Sequence, residues 1–248
     1  MPEKPDPDGL IPINMFERDY PIRVNLVYAQ ADHPDNHFGQ LYHPEAKILW
    51  LHKDLARIVL TASKIAQDRF GWRLRLLDGL RPVEAQIEMQ KFGIPWQMLA
   101  RPGQGGHPRG MAIDIVPENA DGSLPDMGTP FDQFVEDYER DINYADRSVT
   151  EFGKGREADH RIVQNRQKLT FAMEEAARLC GAEIWPLPHE WWDFRIPKPV
   201  SDQFAPLREA DLHPFQRLIS PDIETAEKIL NGELPGEIRE SVAELYKG

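Results

Sequence analysis

At 248 residues, 41% of them hydrophobic and 28% charged, the chain has the length and balance of one ordinary globular domain with a sizeable core. A net charge of −12 with no Lys/Arg-rich block repels a phosphate backbone and argues against nucleic acid as a partner. No apolar run reaches bilayer length, and the Pro- and Asp-rich start from Met1 to Gly9 lacks the pattern of a secretory signal, so no membrane partner is expected.

Residues 1–20 read as a Pro-punctuated N-terminal arm. Ile22, Val24 and Leu26 then alternate with polar partners up to Tyr28, the pattern of a half-buried strand. Asp32 to His43 carries His33, His37 and His43, but its loop composition and irregular spacing favour a solvated loop over a metal site. From Pro44 the pattern turns helical, with Leu51, Leu55, Ile58, Ala62 and Ile65 at three- and four-residue steps down to Gly71. Trp72 to Leu77 reads as a strand ending in an Asp78-Gly79 turn. Pro82 opens a helix that breaks by Gly93-Ile94-Pro95. The Gly/Pro-rich stretch 102–110 leads into a short buried strand, Met111 to Val116, stopped by Pro117. The longest clean helix spans about Asp159 to Cys180, and Ile184 to Phe194 is aromatic-rich and extended or turn-like. Cys180, the single cysteine, closes an apolar stripe; it excludes an internal disulfide framework and fits a reducing, cytoplasmic setting. After Pro199 come polar helical patterns, including Glu224 to Leu230 and Glu237 to Tyr246. Helices and short strands mix without a regular β-α-β alternation, which predicts an α+β fold.

Three segments carry chemistry. Asp114 lies on a strand with apolar residues on both faces, so its carboxylate enters the core and needs a cation: a metal, an arginine or a cluster of donors. His107, seven residues earlier across a Gly/Pro turn, makes half of a metal site with it; the alternative pairs Asp114 with an arginine and leaves His107 on a surface loop. In His189-Glu190-Trp191-Trp192-Asp193, indoles beside a carboxylate desolvate it and raise its pKa, suiting Glu190 to pass protons, unless the segment is simply a Trp-rich core strand. Arg81, where a strand ends and a helix begins, points a guanidinium into a cleft for an oxyanion or else lies on the surface.

Taken together, these segments resemble peptidase family M15, in its D-alanyl-D-alanine dipeptidase subfamily. Gly105-Gly106-His107-Pro108-Arg109-Gly110-Met111-Ala112-Ile113-Asp114 is similar to the S-x-H-x-x-G-x-A-x-D signature. Glu190-Trp191-Trp192-Asp193-Phe194 resembles E-W-W-H-F, and Asp78-Gly79-Leu80-Arg81-Pro82 resembles D-x-x-R-P. Asp126-Met127-Gly128-Thr129-Pro130-Phe131-Asp132 is similar to D-M-G-T-x-F-D, and Asn165-Arg166 and Tyr28-Ala29 also fit, all in family order over about residues 20–196. The resemblance implies a small antiparallel sheet carrying the metal site, flanked by helices, in a metallopeptidase domain over 21–198. The helical C-terminal extension, 199–248, packs on the same domain. It further implies a zinc-dependent dipeptidase that hydrolyses D-alanyl-D-alanine, a peptidoglycan dipeptide, or a related short peptide through a metal-bound water. His107, Asp114 and Asp193 become the metal ligands, Glu190 the general base and Arg81 the oxyanion stabiliser. Asp126 and Tyr28 become substrate-binding residues, Asp126 holding the ammonium group.

Two positions depart from the pattern. The family serine is Gly105, and the third ligand, histidine in the family, is Asp193. Two carboxylates neutralise a dication, weaken it as a Lewis acid and shift preference towards harder ions such as Mn²⁺. His189 is an alternative third ligand, but it precedes the glutamate and needs a different backbone path. An amidase of the same fold and a catalytically silent metal- or peptide-binding protein therefore stand beside the dipeptidase. The acidic helices after Pro199 suit a lid, plain surface cover or the contact of a homo-oligomer.

Overall fold

The computed structural model describes residues 4–94 and 98–246. Pro95 of the expected helix break, the first three residues of the arm and the last two of the C-terminal extension lie outside the described residues.

The segment read as an arm is built into the core. Leu10–Pro12 (β1) pairs antiparallel with a strand at residues 50–52, and Leu10, Ile11, Ile13 and Phe16 are fully buried. Its apolar run recovers more by burial than a free arm could, and Pro12 ends the strand where no ladder donor is lost.

Ile22–Val24 (β2) is a shorter strand than the alternation suggests and is followed by a 3₁₀ turn carrying Tyr28. The partner of β1 is Trp50–His52 (β3), which occupies part of the stretch read as helix from Pro44. The helix itself, Lys53–Phe70 (α1), starts only after that pairing ends, and Gly71 closes it in the left-handed region at φ 69°. Trp72–Asp78 (β4), Val83–Met89 (α2) and Ala112–Asn119 (β5) follow. β5 runs through Pro117, which faces Leu74 of β4 in register, so the expected stop there is absent. Arg156–Leu179 (α3), Trp185–Pro186 (β6), Asp193–Arg195 (β7) and the one-turn helix Lys198–Ser201 (α4) complete the main body.

The central sheet has the order β2-β4-β5-β7-β6, antiparallel throughout except for the parallel edge pair β2–β4. α1 packs on α3 and on β4. In the C-terminal extension, Ile223–Leu230 (α5) and Gly236–Leu245 (α6) bury Ile229, Ile238 and Val242, and α6 lies against β1 and α1. The α+β class expected from the sequence is the one observed. Among the described residues, no helix is long and apolar enough to cross a membrane.

Candidate active site

Sheet register places three carboxylates abreast. Asp78 on β4 faces Asp114 on β5, and Asp114 faces Asp193 on β7. A ladder irregularity between Leu76 and Asp78 re-aims the end of β4 towards this row. All three are buried, and like charges on directly opposed strand positions repel. Something cationic must lie among them.

Three side chains supply part of that charge. Arg81, just beyond the β4 turn, donates from Nε to Asp78 at 2.8 Å and from Nη2 to Asp114 at 3.3 Å, stitching two members of the row together. Arg195 donates from Nε and Nη2 to both oxygens of Asp193, at 2.6 to 3.0 Å. His107 enters from the Gly/Pro loop, in a 3₁₀ turn (His107–Arg109) closed by Gly110 at φ 63°. Gly110 is required there: a Cβ would come within 2.7 Å of Leu10 and 3.0 Å of the His52 backbone. The loop is braced by Arg109, which donates to the carbonyls of Gly103, Gly105 and Phe204.

The His107 ring is oriented for ligation. Nδ1 lies 2.8 Å from the Gly79 carbonyl, an acceptor only, so Nδ1 carries a hydrogen and Nε2 turns towards the carboxylates. Nε2 is 3.6 Å from Asp114 Oδ1 and 3.4 Å from Asp193 Oδ2. Asp114 Oδ1 is buried with no hydrogen-bond partner among the described residues. Such an atom costs on the order of 1–3 kcal/mol unless a cation or proton serves it.

Glu190 and Asp132 complete the cluster. Glu190 sits in the turn between β6 and β7, with one carboxylate oxygen in a group with those of Asp114 and Asp193 that spans no more than 4.8 Å. The two residues that follow it, Trp191 and Trp192, are buried. Asp132 is buried, accepts from the Tyr28 hydroxyl at 2.6 Å, and is the one non-glycine with positive φ (54°) among the described residues. A backbone held in that region points to a side chain aimed for a purpose.

Five buried carboxylates (Asp78, Asp114, Asp132, Glu190 and Asp193) crowd around two guanidiniums and the His107 imidazole. Burial, then the nearby Asp193, pushes Glu190 up to about 8. Burial also raises Asp78 and lifts Asp132 well above the usual carboxylate range. Burial and Arg81 push His107 down, but Asp114 and Asp193 outweigh them and carry it to about 9. Burial would raise Asp193 too, yet Arg195 and His107 hold it well below the ordinary range. Burial and mutual repulsion thus favour the neutral form of Glu190, Asp78 and Asp132, while ion pairing keeps Asp193 ionised. An imidazole nitrogen, an orphaned carboxylate oxygen and a second carboxylate within 3.6 Å of that nitrogen fit a divalent cation with nitrogen and oxygen ligands.

The structure therefore brings together His107, Asp114, Asp193, Glu190, Arg81 and Tyr28 around one small cavity. It does not bring in Asp126. That side chain is exposed, pairs with Lys154 at 3.1 Å and lines a different surface hollow. The carboxylate that this loop sends inward is Asp132, at the other end of the same motif. His189 is also elsewhere: its Nδ1 lies 2.9 Å from Asp146 and 2.6 Å from the Tyr138 hydroxyl. Arg195 and Asp132 were missed in the sequence. Strand periodicity held the signal for Arg195, because residues 193 and 195 share a face of β7.

Over 190 residues the chain is 30% identical to the D-alanyl-D-alanine dipeptidase of Escherichia coli (strain K12), covering 74% of this chain and 86% of that protein. Among solved structures it is similar to the L-Ala D-Glu endopeptidase ChiX of Serratia marcescens, at 18% identity and a TM-score of 0.38, covering 61% of this chain and 84% of that one. No family model matches the chain.

Proposed function

The chain belongs to the D-alanyl-D-alanine dipeptidase family, within peptidase family M15, and from that premise we propose that it is a metal-dependent dipeptidase acting on D-alanyl-D-alanine or a related short peptide. The observation that carries the metal is Asp114 Oδ1, buried without a hydrogen-bond partner among the described residues and 3.6 Å from His107 Nε2. His107, Asp114 and Asp193 would hold the ion, zinc or, with two carboxylates in the set, a harder ion such as manganese. When bound, the cation supplies Lewis acidity, polarising the peptide carbonyl and making nearby water easier to deprotonate.

The remaining chemistry belongs to the side chains. Glu190, one carboxylate oxygen of which lies close to those of Asp114 and Asp193, takes the proton of the attacking water and returns it to the leaving nitrogen. Arg81 lines the cavity; its guanidinium holds Asp78 and Asp114 and stabilises the oxyanion. Asp132, which accepts from the Tyr28 hydroxyl and lines the cavity, is a second candidate beside Asp126 for holding the substrate's ammonium group. Arg195 draws negative charge from Asp193, so the ligand set neutralises a dication less than two unpaired carboxylates would. The half-buried single cysteine, Cys180, supports a cytoplasmic setting.

Hydrolysis of D-Ala-D-Ala, with L-Ala-L-Ala as control, tests the reading on metal-stripped protein reloaded separately with Zn²⁺ and Mn²⁺. Cleavage of the D,D substrate alone supports it. No cleavage by folded, metal-loaded protein sinks it and promotes the divergent amidase or the silent binder.

A further inference from the structure

The two departures from the family pattern, Gly105 and Asp193, meet at one side chain. Arg195 spends Nε and Nη2 on Asp193, while Nη1 has no hydrogen-bond partner among the described residues. A Cβ on Gly105 would lie 3.4 Å from that Nη1, and the Gly105 backbone, at φ 81°, is one that side chains rarely adopt. The guanidinium thus reaches the space beside the position where the family pattern has a serine.

Arg195 also stands between two spaces. On one side is the catalytic cavity, of about 20 Å³, room for an ion or a single water. On the other is a hollow of about 550 Å³ bordered by Arg109, Trp185 and Lys198. Ala100, Gln104, Gly105 and Arg195 line both. A dipeptide whose scissile bond lies at the cation site and whose C-terminal residue extends towards the hollow passes Arg195. The reach is short: Arg195 Nη2 is 2.6 Å from Asp193 Oδ2, which is itself 3.4 Å from His107 Nε2.

Resting on the dipeptidase reading, we propose that the free edge of Arg195 binds the C-terminal carboxylate of the substrate's leaving residue, making this arginine the determinant of specificity for a free carboxyl end. A guanidinium has two edges able to take a carboxylate, and here one is engaged by Asp193 and the other faces the substrate path. Gly105 places no side chain beside that second edge.

The test uses the full-length, Zn²⁺-loaded Glu190→Gln variant, which binds without turning over, titrated calorimetrically with D-Ala-D-Ala and with its C-terminal amide. The acid is expected to bind at least about tenfold more tightly than the amide, the effect of one charged hydrogen-bonded contact. In Glu190→Gln/Arg195→Gln both ligands weaken if Asp193 shifts, but the acid-to-amide ratio should fall to about one; a purely structural arginine would leave that ratio unchanged. Glu190→Gln/Arg195→Lys, which keeps the charge but loses the planar fork, should lower the ratio as well, and it carries the test where Arg195→Gln does not fold. A preference that survives loss of Arg195, one absent at the outset, or no binding of either ligand overturns the proposal. Failure of the wild type to hydrolyse D-Ala-D-Ala while the Arg195-dependent preference persists would instead remove the dipeptidase reading and leave a carboxylate-binding site.

Discussion

Replacing Arg81 by methionine removes the cation that joins Asp78 to Asp114 while keeping an apolar stem of similar reach. Breaking a buried ion pair on one side costs about 3–5 kcal/mol, because the abandoned charge stays buried. Asp78 keeps the Tyr42 hydroxyl at 2.8 Å and His107 Nδ1 at 3.4 Å, which places the expected loss at the lower end, about 3 kcal/mol. For a chain of this size that corresponds to a fall in melting temperature of roughly 6–12 °C. Turnover should fall by about 10²–10³-fold, the effect of losing one oxyanion donor. The double variant Arg81→Met/Asp78→Asn removes the stranded carboxylate and should regain much of the stability without regaining turnover. Calorimetric melting and peptide hydrolysis on the same preparations read both quantities. A single variant within about 1 kcal/mol of wild type would refute the buried pairing, and recovery of turnover in the double variant would refute the oxyanion role.

Glu190→Gln should reduce turnover by about 10²–10⁴-fold with little change in substrate affinity, seen as a fall in kcat at steady KM. Asp132→Asn should raise KM for a peptide with a free amino terminus far more than for its N-acetylated form, whereas Asp126→Ala should leave both within about twofold; the opposite pattern would assign the ammonium site to Asp126. In metal-free protein, His107 and Glu190 both hold protons more tightly folded than unfolded, at about 9 and about 8. Stability therefore falls as pH rises from 4.5 towards 8 for Glu190, whose buried carboxylate becomes costly to ionise, and from 6.5 towards 9 for His107, which loses its pairing with Asp114 and Asp193. Denaturant titrations from pH 6 to 9.5 should show metal-free stability falling, with the slope reduced by saturating Zn²⁺; a flat or rising metal-free profile contradicts the assigned shifts.

Much of the site was legible because motif spacing fixes which residues share a strand end or a loop. Asp114 on a doubly apolar strand, His107 across a glycine turn and Glu190 against two tryptophans each required a buried charge to be compensated, and the fold gathers all three. The alignment of Asp78, Asp114 and Asp193 was not legible, since it depends on the register of strands more than thirty residues apart. That the motif's first carboxylate, Asp126, lies at the surface while its last, Asp132, turns inward on a left-handed backbone was not legible either, because composition does not reveal backbone conformation. The N-terminal strand was hidden for a related reason: Leu10–Pro12 is too short to show a period and is defined by its partner at Trp50–His52.

The central claim is that the buried His107–Asp114–Asp193 cluster is a cation site. Equilibrium titration of metal-stripped protein with Zn²⁺ against a chromophoric chelator at pH 7.5, with total metal measured in parallel, tests it most directly. The account predicts one ion per chain, released protons on binding, and loss of that ion in both His107→Ala and Asp114→Asn while the fold persists. Stoichiometric binding that survives either substitution, or no binding above a surface-acid background, would contradict it.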